Sequence, residues 1–394
     1  MKNLFKVLSI VLFSTLMFSC TQDDNGSGDD NISASDDKNN LKKGQIEIKG
    51  YPNNSNKMSF RATASKITID WGDGSVDELT PNGVESEFVH EYANQNFQTI
   101  KINTETMTYV SLNGYSATYN ELRFGDCPDL KKIICSSNKL TVLSIKSAPA
   151  LTSLDCYGNQ LTSLNVSGCS ALTSLDCRRN QLTLLNISGC AALPSLNCEG
   201  NQLTSLNVSG CAALTNLDCG NNQLTSLNVS SCAALEILGC YDNQLTSLNV
   251  SGCSALQYLH CGGNQLTSLN VSGCAALEIL GCYDNQLTSL NIGGCTALQH
   301  LHCGDNQLIS LNVSNCAALQ YLHCGGNQLT SLNVSGRTYL VWLDCAGNQL
   351  TAEGLNSLFN SLPHSEGSIS ISSNPGASTC DRTIAENKRW RVSS

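Results

Sequence analysis

The chain has 394 residues, a formal net charge of −10 and only 14% charged residues, and 22 of its residues are cysteines. Nucleic acid is a poor candidate partner for such a chain, because its binding needs clustered Lys and Arg. The cysteine fraction is below the level typical of a short disulfide scaffold, and the length fits either two or three ordinary domains or one long repeat array.

The first twenty residues combine two lysines, an apolar run from Val7 to Phe18 and a small residue before Cys20. This run is too short to span a bilayer comfortably and is typical of an export signal. The segment resembles a bacterial lipoprotein signal, which implies that Cys20 is lipidated and begins the mature protein. An ordinary secretory signal that is cut nearby is the alternative.

Residues 21–43 carry six Asp near their start and no aromatic residue, which predicts a disordered acidic tether. Acidic residues just after the lipidated cysteine resemble the surface-display signal of Gram-negative lipoproteins. The resemblance implies an exported protein that is lipid-anchored to the outer membrane and exposed at the cell surface. The lipid would be its only contact with the membrane.

Residues 44–108 alternate apolar and polar residues in short runs, which predicts an antiparallel β domain. The segment ITIDWGDGS at 67–75 resembles the polycystic-kidney-disease (PKD) type of immunoglobulin-like domain. That resemblance implies a small β-sandwich that acts as a spacer. We interpret Asp70, Asp73 and His90 as turn-stabilising side chains around a core Trp71, rather than as metal ligands or an acid–base site.

Asparagine then recurs eleven times at an unbroken spacing of 21 residues, and a cysteine lies three residues before each one. A typical unit is LTSLDCYGNQLTSLNVSGCSA at 151–171, with apolar residues at unit positions 1, 4, 6, 11, 14, 16 and 19. LxxLxCxxNxL matches the leucine-rich-repeat pattern, and the nested half-repeat resembles the short bacterial class called IRREKO. We expect a mainly β solenoid of about eleven units over residues 130–350, with a short strand in each half, an asparagine ladder and two cysteine ladders.

Both ends of the array carry predicted caps. Residues 109–129 keep a degraded repeat that begins with Tyr109 at position 1, as the end of a stack requires. Residues 351–394 are predicted to form an α/β cap in which Thr351 begins a helix and Trp390 covers the open core. This tail resembles the closing segment of internalin-like and BspA-like surface lipoproteins.

The repeats vary mainly at unit positions 2, 3, 5, 7 and 8. Strand periodicity places positions 3, 5 and 7 on one outward face, and exposed aromatic side chains on a rigid face are the usual anchors of recognition. Drift among duplicated repeats, which the two identical LEILGCYDN segments support, is the alternative. We predict a ligand-binding face formed by Tyr241, Tyr258, His260, Tyr283, His300, His302, Tyr321, His323 and Trp342.

Metal and catalytic chemistry find little support in the sequence. His300, His302 and His323 could cluster, but we expect no carboxylate or cysteine beside them at ligand spacing, so no metal site is predicted. The aspartates at position 5 have no nucleophile or base beside them, so no catalytic residue and no cofactor are predicted. The ladder cysteines are interpreted as unpaired core thiols rather than systematic disulfides.

These observations predict a non-enzymatic cell-surface lipoprotein that binds a protein ligand of a host, another bacterium or the envelope. The alternative is a glycan-binding accessory of a surface polysaccharide system, because Tyr and Trp platforms also stack on sugars. A purely structural spacer is the third possibility.

Overall fold

The computed structural model describes residues 39–112 and 117–393. The predicted signal peptide, the lipidation of Cys20 and most of the tether therefore lie outside the described residues. The last residues of the predicted tether are already bound to the fold, because the Asn39 side chain donates hydrogen bonds to the Phe124 carbonyl (2.8 Å) and to Ser144 Oγ (3.0 Å). The structured region thus begins several residues before position 44.

The N-terminal region is built from eight strands. In β1 the apolar side chains point inward at every second residue, so that Ile46 and Ile48 are buried, whereas β4 is exposed along its whole length. Trp71 lies at the centre of this core and donates from its indole nitrogen to Asp77 (2.8 Å). The strands are β1 Gln45–Tyr51, β2 Lys57–Ala64, β3 Ile67–Asp70, β4 Val76–Leu79, β5 Glu85–Glu91, β6 Gln98–Thr104, β7 Met107–Ser111 and β8 Thr118–Asp126.

In the solenoid, the first half of every unit forms a three-residue parallel strand. Successive strands pair in register at the 21-residue spacing, so that Leu238 lies beside Leu259 and Leu259 beside Leu280. The middle residue points into the core and its two neighbours point outward, because side chains alternate along a strand. These strands are β9 Lys132–Ile134, β11 Ser153–Asp155, β13 Ser174–Asp176, β15 Ser195–Asn197, β16 Asn216–Asp218, β18 Ile237–Gly239, β20 Tyr258–His260, β22 Ile279–Gly281, β24 His300–His302, β25 Tyr321–His323 and β26 Trp342–Asp344.

The second halves are less regular than we expect from their near-constant sequence. Within residues 117–393, the units that begin at 193, 298 and 319 carry no strand in their second half. The strands that do form are β10 Val142–Ser147, β12 Ser163–Asn165, β14 Leu184–Asn186, β17 Ser226–Asn228, β19 Ser247–Asn249, β21 Ser268–Asn270 and β23 Ser289–Asn291. The solenoid is therefore held mainly by the continuous sheet of its first halves.

The C-terminal cap has the α/β composition that the sequence predicts. Helix α1 (Ala352–Ser361) begins at Thr351, whose side chain accepts a hydrogen bond from the Gly354 N–H, and it buries Leu355, Leu358 and Phe359. Trp390 is fully buried, in agreement with its expected place over the end of the core. The remaining elements are β27 Gly367–Ser370, α2 Thr383–Glu386 and β28 Trp390–Ser393.

One sixteen-stranded sheet runs from the N-terminal region through the whole solenoid to the cap. Its order begins β5-β2-β7-β9 and ends β26-β27-β28. Strand β7 occupies the place of a repeat strand, but Val110 rather than Leu112 pairs with the inward Ile133. The register of this half-unit therefore differs by two residues from the sequence prediction, because β7 also pairs with β2 and must satisfy both neighbours.

The predicted asparagine ladder is present. Asn243 represents the pattern: its Nδ2 donates to the carbonyls of Cys240 (3.2 Å) and Cys219 (3.0 Å), and its Oδ1 accepts the Leu224 N–H (2.9 Å). One buried side chain thus satisfies backbone groups of two neighbouring units, which would otherwise be buried without partners.

The described cysteines are free thiols, and all but Cys380 are buried. Burial raises the pKa of the Cys169 thiol to about 11 and holds that of Cys219 well above its usual value. Such thiols remain protonated at neutral pH and act as small apolar side chains rather than as nucleophiles.

Candidate interaction face

The outward side chains of the first-half strands form one face of the long sheet. We call residues 151–213 its N-terminal half and residues 235–350 its C-terminal half; the unit 214–234 lies between them. All nine residues of the predicted site lie in the C-terminal half, at unit positions 3, 5 and 7. The structure brings them together in two columns that run along the solenoid.

Positions 5 and 7 form the inner ladder, a continuous stack of rings. Tyr241 stacks on His260 (ring centroids 4.5 Å apart, interplanar angle 17°), and Tyr283 stacks on His302 (4.3 Å, 24°). His260 Nε2 and the Tyr283 hydroxyl are hydrogen-bonded at 3.0 Å, and His302 lies 4.2 Å from His323. Each ring covers its neighbour, so the ladder excludes water from an outward-facing surface.

Glycine makes room for the tyrosines of the inner ladder. The Tyr241 ring lies over Gly220 of the preceding unit, where a Cβ atom would meet ring carbons at 2.5–2.8 Å. Tyr283 lies over Gly262 in the same way, with ring carbons at 3.0–3.1 Å from the Cβ position. Both tyrosines of the inner ladder have glycine at position 5 of their own unit, Gly239 for Tyr241 and Gly281 for Tyr283. A tyrosine is therefore accommodated in the inner ladder where the preceding unit has glycine at position 7.

The prediction of an exposed face is wrong for most of the chosen residues. Tyr241, Tyr258, His260, Tyr283 and His302 are buried, each with at most 7% of its surface exposed. Single-strand periodicity correctly turns them outward, but the rings of adjacent units then cover one another. They pack outside the main apolar core and form a second layer on the sheet.

The exposed part of the site is the outer column, which we define as His300, Tyr321 and Trp342 at position 3. Tyr321 is 40% exposed, and His300 and Trp342 are partly exposed. His300 and Tyr321 are stacked almost parallel, with centroids 4.5 Å apart and an angle of 10°. Burial lowers the pKa of His300, which favours the neutral imidazole. The outer column is therefore an aromatic strip that lies beside the inner ladder on the same face and contacts it where the rings of Trp342 and His323 meet (centroids 5.9 Å apart).

A buried carboxylate cluster lies where the two halves meet. The Tyr241 hydroxyl donates to Glu199 Oε1 (2.9 Å), and Asp218, only 4% exposed, accepts the Gly220 N–H (3.1 Å). Burial, and then repulsion from Glu199, raise the pKa of Asp218 to about 7. In the sequence, Asp218 is one of the outward aspartates at position 5, and its burial beside Glu199 and Tyr241 depends on contacts between neighbouring units.

The N-terminal half of the face contains its own cations. Arg178 forms a two-point ion pair with Asp176 (Nε–Oδ1 2.9 Å, Nη2–Oδ2 2.6 Å). The guanidinium groups of Arg178 and Arg179 lie over the Tyr157 ring, 5.4 and 5.7 Å from its centroid. Carboxylate, guanidinium and aromatic ring are thus already matched within this half.

The expectation that no carboxylate accompanies the histidines is wrong. His323 Nε2 lies 3.2 Å from Asp344 Oδ2. Two histidines in ring contact and one carboxylate nevertheless do not form a ligand set: among the described residues, no group of three or more His, Cys, Asp or Glu side chains could hold a metal ion. A three-ligand arrangement would be needed for a zinc site.

In the N-terminal region, the Asp73–His90 pair is arranged as a turn support. His90 Nε2 lies 2.8 Å from Asp73 Oδ2 and 3.3 Å from Ser75 Oγ, and its ring stacks on Trp71 (4.9 Å, 14°). Both polar partners contact the same imidazole nitrogen, whereas a catalytic relay uses the two nitrogens separately. Asp73 also accepts from the Ser75 N–H (3.0 Å), which fits the turn interpretation.

Solved structures with the same architecture include the functional domain of InlJ from Listeria monocytogenes, which includes a cysteine ladder. It is 31% identical to this chain, covers 62% of it and 54% of its own length, and has a TM-score of 0.53. This chain therefore has the fold of a leucine-rich-repeat solenoid. The leucine-rich effector protein YopM from Yersinia pestis is 22% identical, over 65% of this chain and 75% of its own, with a TM-score of 0.51. The leucine-rich-repeat domain of APL1B is also 22% identical, over 64% and 79%, with a TM-score of 0.51.

The chain spans about half the length of the InlJ domain, and the two 22% likenesses concern the fold alone. No family model matches the sequence, and no curated protein is similar to it. Within the described residues, no helix is long and apolar enough to cross a bilayer.

Proposed function

We propose that this chain is a non-enzymatic cell-surface lipoprotein that binds a protein partner through the outer column of its solenoid. The observation that carries the proposal is the outer column itself: His300, Tyr321 and Trp342 are partly exposed on a rigid parallel sheet. Tyr and Trp supply large contact areas and lose little conformational entropy on binding, so they dominate the energetics of many interfaces.

The inner ladder supports this proposal because it stiffens the surface. The rings of the inner ladder lie beside the outer column and are stacked, and His323 also contacts Trp342 (centroids 5.9 Å apart), so the strip does not need to become ordered when a partner binds. A preorganised surface retains more of its contact energy as affinity.

A glycan-binding accessory protein is the second candidate. The Tyr321 ring is exposed and is held in place by its stack on His300, and sugar rings stack on the free faces of such aromatic side chains. In either case we place the chain outside the cell, anchored to the outer membrane through a lipid on Cys20. A Cys20→Ala variant should then appear in the soluble extracellular or periplasmic fraction instead of the membrane fraction.

The test uses the full chain immobilised and exposed to a cell-surface extract. The double variant Tyr321→Ala/Trp342→Ala should lose capture, whereas Tyr51→Ala/Phe97→Ala, an exposed aromatic pair in the N-terminal region, should retain it. Protease treatment of the extract should abolish capture. Capture that resists protease but is lost after periodate oxidation of glycans would favour the second candidate, and capture by the double variant would contradict both.

A further inference from the structure

A long stretch of the solenoid carries negative charges but no Lys or Arg. No Lys or Arg occurs between Arg179 and Arg337, a stretch that covers more than seven repeat units. The same stretch carries seven carboxylates: Glu199, Asp218, Glu236, Asp242, Glu278, Asp284 and Asp305. Histidines are its only basic side chains, and His300 and Tyr321 of the outer column lie within it. Trp342 follows it, and Arg391 lies in register with Trp342 two strands farther along the sheet.

The exposed carboxylates flank the strands of the C-terminal half. Glu278 is exposed and immediately precedes β22, while Asp284 is exposed and follows that strand by three residues. Asp242 and Asp305 occupy the position of Asp284 in other units, all three with a left-handed backbone (φ 50–54°). The periodic turn thus presents the same negative group along one edge of the face.

The N-terminal half shows what a guanidinium does on this surface. Arg178 pairs with Asp176 through two hydrogen bonds, and its Cζ lies 5.4 Å from the centre of the Tyr157 ring. An arginine there is held by a carboxylate and an aromatic ring together. The C-terminal half repeats both components, with exposed aromatic rings and carboxylates. Its one arginine, Arg337, lies at position 19, is buried and donates to the Val313 carbonyl, so it does not lie on this face.

We propose that the outer column docks an arginine-bearing, net-positive segment of a partner protein. Guanidinium groups of that segment stack on Tyr321 and Trp342, and the carboxylates along the strand ends attract and orient it. This inference rests on the proposed protein-binding function and adds the chemistry of the partner. An anionic polysaccharide or a nucleic acid is repelled by the same charges.

The experiment measures fluorescence anisotropy of labelled probes with the full chain. The probes are a short peptide of alternating Arg and Ser, the same peptide with Gln in place of Arg, the same peptide with Glu, and a neutral linear glucose oligosaccharide. The Arg peptide should bind most tightly, and its Kd should rise by about tenfold between roughly 0.05 and 0.3 M salt, because the carboxylates act over a Debye length.

Two variants separate the components of the site. Tyr321→Ala/Trp342→Ala should weaken binding of the Arg peptide by about tenfold. Asp242→Asn/Asp284→Asn/Asp305→Asn should weaken it by a similar factor and flatten its salt dependence. The matched control carries Glu78→Gln, Glu105→Gln and Glu366→Gln, three exposed carboxylates outside the repeats. It makes the same change in net charge and should change Kd by less than about twofold.

The alternative outcomes are distinct. Equal binding of the Arg and Gln peptides, lost in the aromatic variant, would overturn the cationic partner but retain protein binding. Binding of the oligosaccharide alone would overturn both. Equal weakening by the control carboxylate variant would show attraction to net charge rather than to this face, and would also overturn the inference, as would failure of the Arg peptide to bind.

Discussion

The two halves of the variable face place tyrosine at the same unit position and treat it in opposite ways. Tyr157 is half-buried and lies beneath two arginines, whereas Tyr241 and Tyr283 are buried in the inner ladder. The difference lies in the neighbouring residues. Ser136 and Asp155 occupy the space around Tyr157 and are hydrogen-bonded to each other (3.1 Å), while glycines fill the equivalent positions around Tyr241.

Whether an outward side chain of this solenoid is buried or exposed therefore depends on the preceding unit as much as on its own unit. Small residues let a ring lie flat along the stack, and the ring then buries itself. Where a hydrogen-bonded polar pair occupies that space, as at Tyr157, the ring stays half-buried and two guanidinium groups lie over it.

Replacing tyrosine at position 7 should cost far more in the C-terminal half. Tyr283→Ala removes a buried ring with contacts to His302 and His260 and should lower the free energy of unfolding by about 2–4 kcal/mol. Tyr157→Ala should cost less than about 1 kcal/mol, because its ring is only half-buried. Chemical denaturation of both variants provides the measurement, and equal shifts of the midpoint would contradict the two-halves interpretation.

Filling the space beneath a ring should be the next largest effect. Gly220→Ala places a methyl group 2.5–2.8 Å from the Tyr241 ring and should destabilise the chain by about 1–3 kcal/mol. Gly210→Ala is the matched control, because nothing lies within 4 Å of its Cβ position, and it should shift the thermal midpoint little or slightly upward. A neutral Gly220→Ala would mean that Tyr241 can leave the ladder without loss.

The cluster between the halves should make stability depend on pH. The pKa of Asp218 is about 7 in the folded state, above its usual 3.8, so protonation favours folding. This contribution is full below about pH 4 and is lost as the pH rises through 7. Asp218→Asn should therefore be more stable than the wild type at pH 8, by about 1–2 kcal/mol, and the difference should shrink toward pH 4.

Unfolding curves of both proteins at several pH values provide this measurement. Asp305→Asn, at an exposed position, controls for the substitution itself. A difference between Asp218→Asn and the wild type that stays constant from pH 4 to pH 8 would refute the assignment of this titration to Asp218.

The smallest effect on stability is expected for the arginines of the N-terminal half. Arg178→Gln/Arg179→Gln removes a partly exposed ion pair and two ring contacts, and should cost less than about 1 kcal/mol. The same variant should gain a binding site, because the Tyr157 ring and the Asp176 carboxylate then become accessible to an arginine of the peptide. Titration with the Arg–Ser peptide should reveal a second site, and an unchanged stoichiometry would weaken the parallel between the halves.

Much of the fold follows from the spacing of the repeat. Positions 4 and 6, the asparagine column and the helix after Thr351 lie where periodicity and capping predict them, because each depends on local pattern or on exact repetition. The register near Tyr109 was mispredicted by two residues, since β7 must also pair with β2. That constraint comes from a strand about fifty residues earlier and leaves no trace in the local sequence.

The candidate site was only partly predictable. The outward orientation of the side chains at positions 3, 5 and 7 follows from the two-residue alternation along a strand. The burial of His260 and Tyr283, by contrast, depends on rings in adjacent units. The two identical LEILGCYDN segments, which favour recent copying when read alone, have a physical reason as well. Both contain the glycine and tyrosine that the ladder requires, at units where the preceding position 7 is Gly220 or Gly262.

The seating of each tyrosine on the preceding glycine also limits how this gene can change length. Loss of the single unit 256–276 would bring Tyr283 directly after the unit of Tyr241, so two rings would compete for one space. Loss of 235–276 would instead seat Tyr283 on Gly220, and the stack would close without a clash. A single 21-residue unit can therefore be lost here without a clash only when it is a Tyr-bearing unit, because two units with tyrosine at position 7 cannot follow one another.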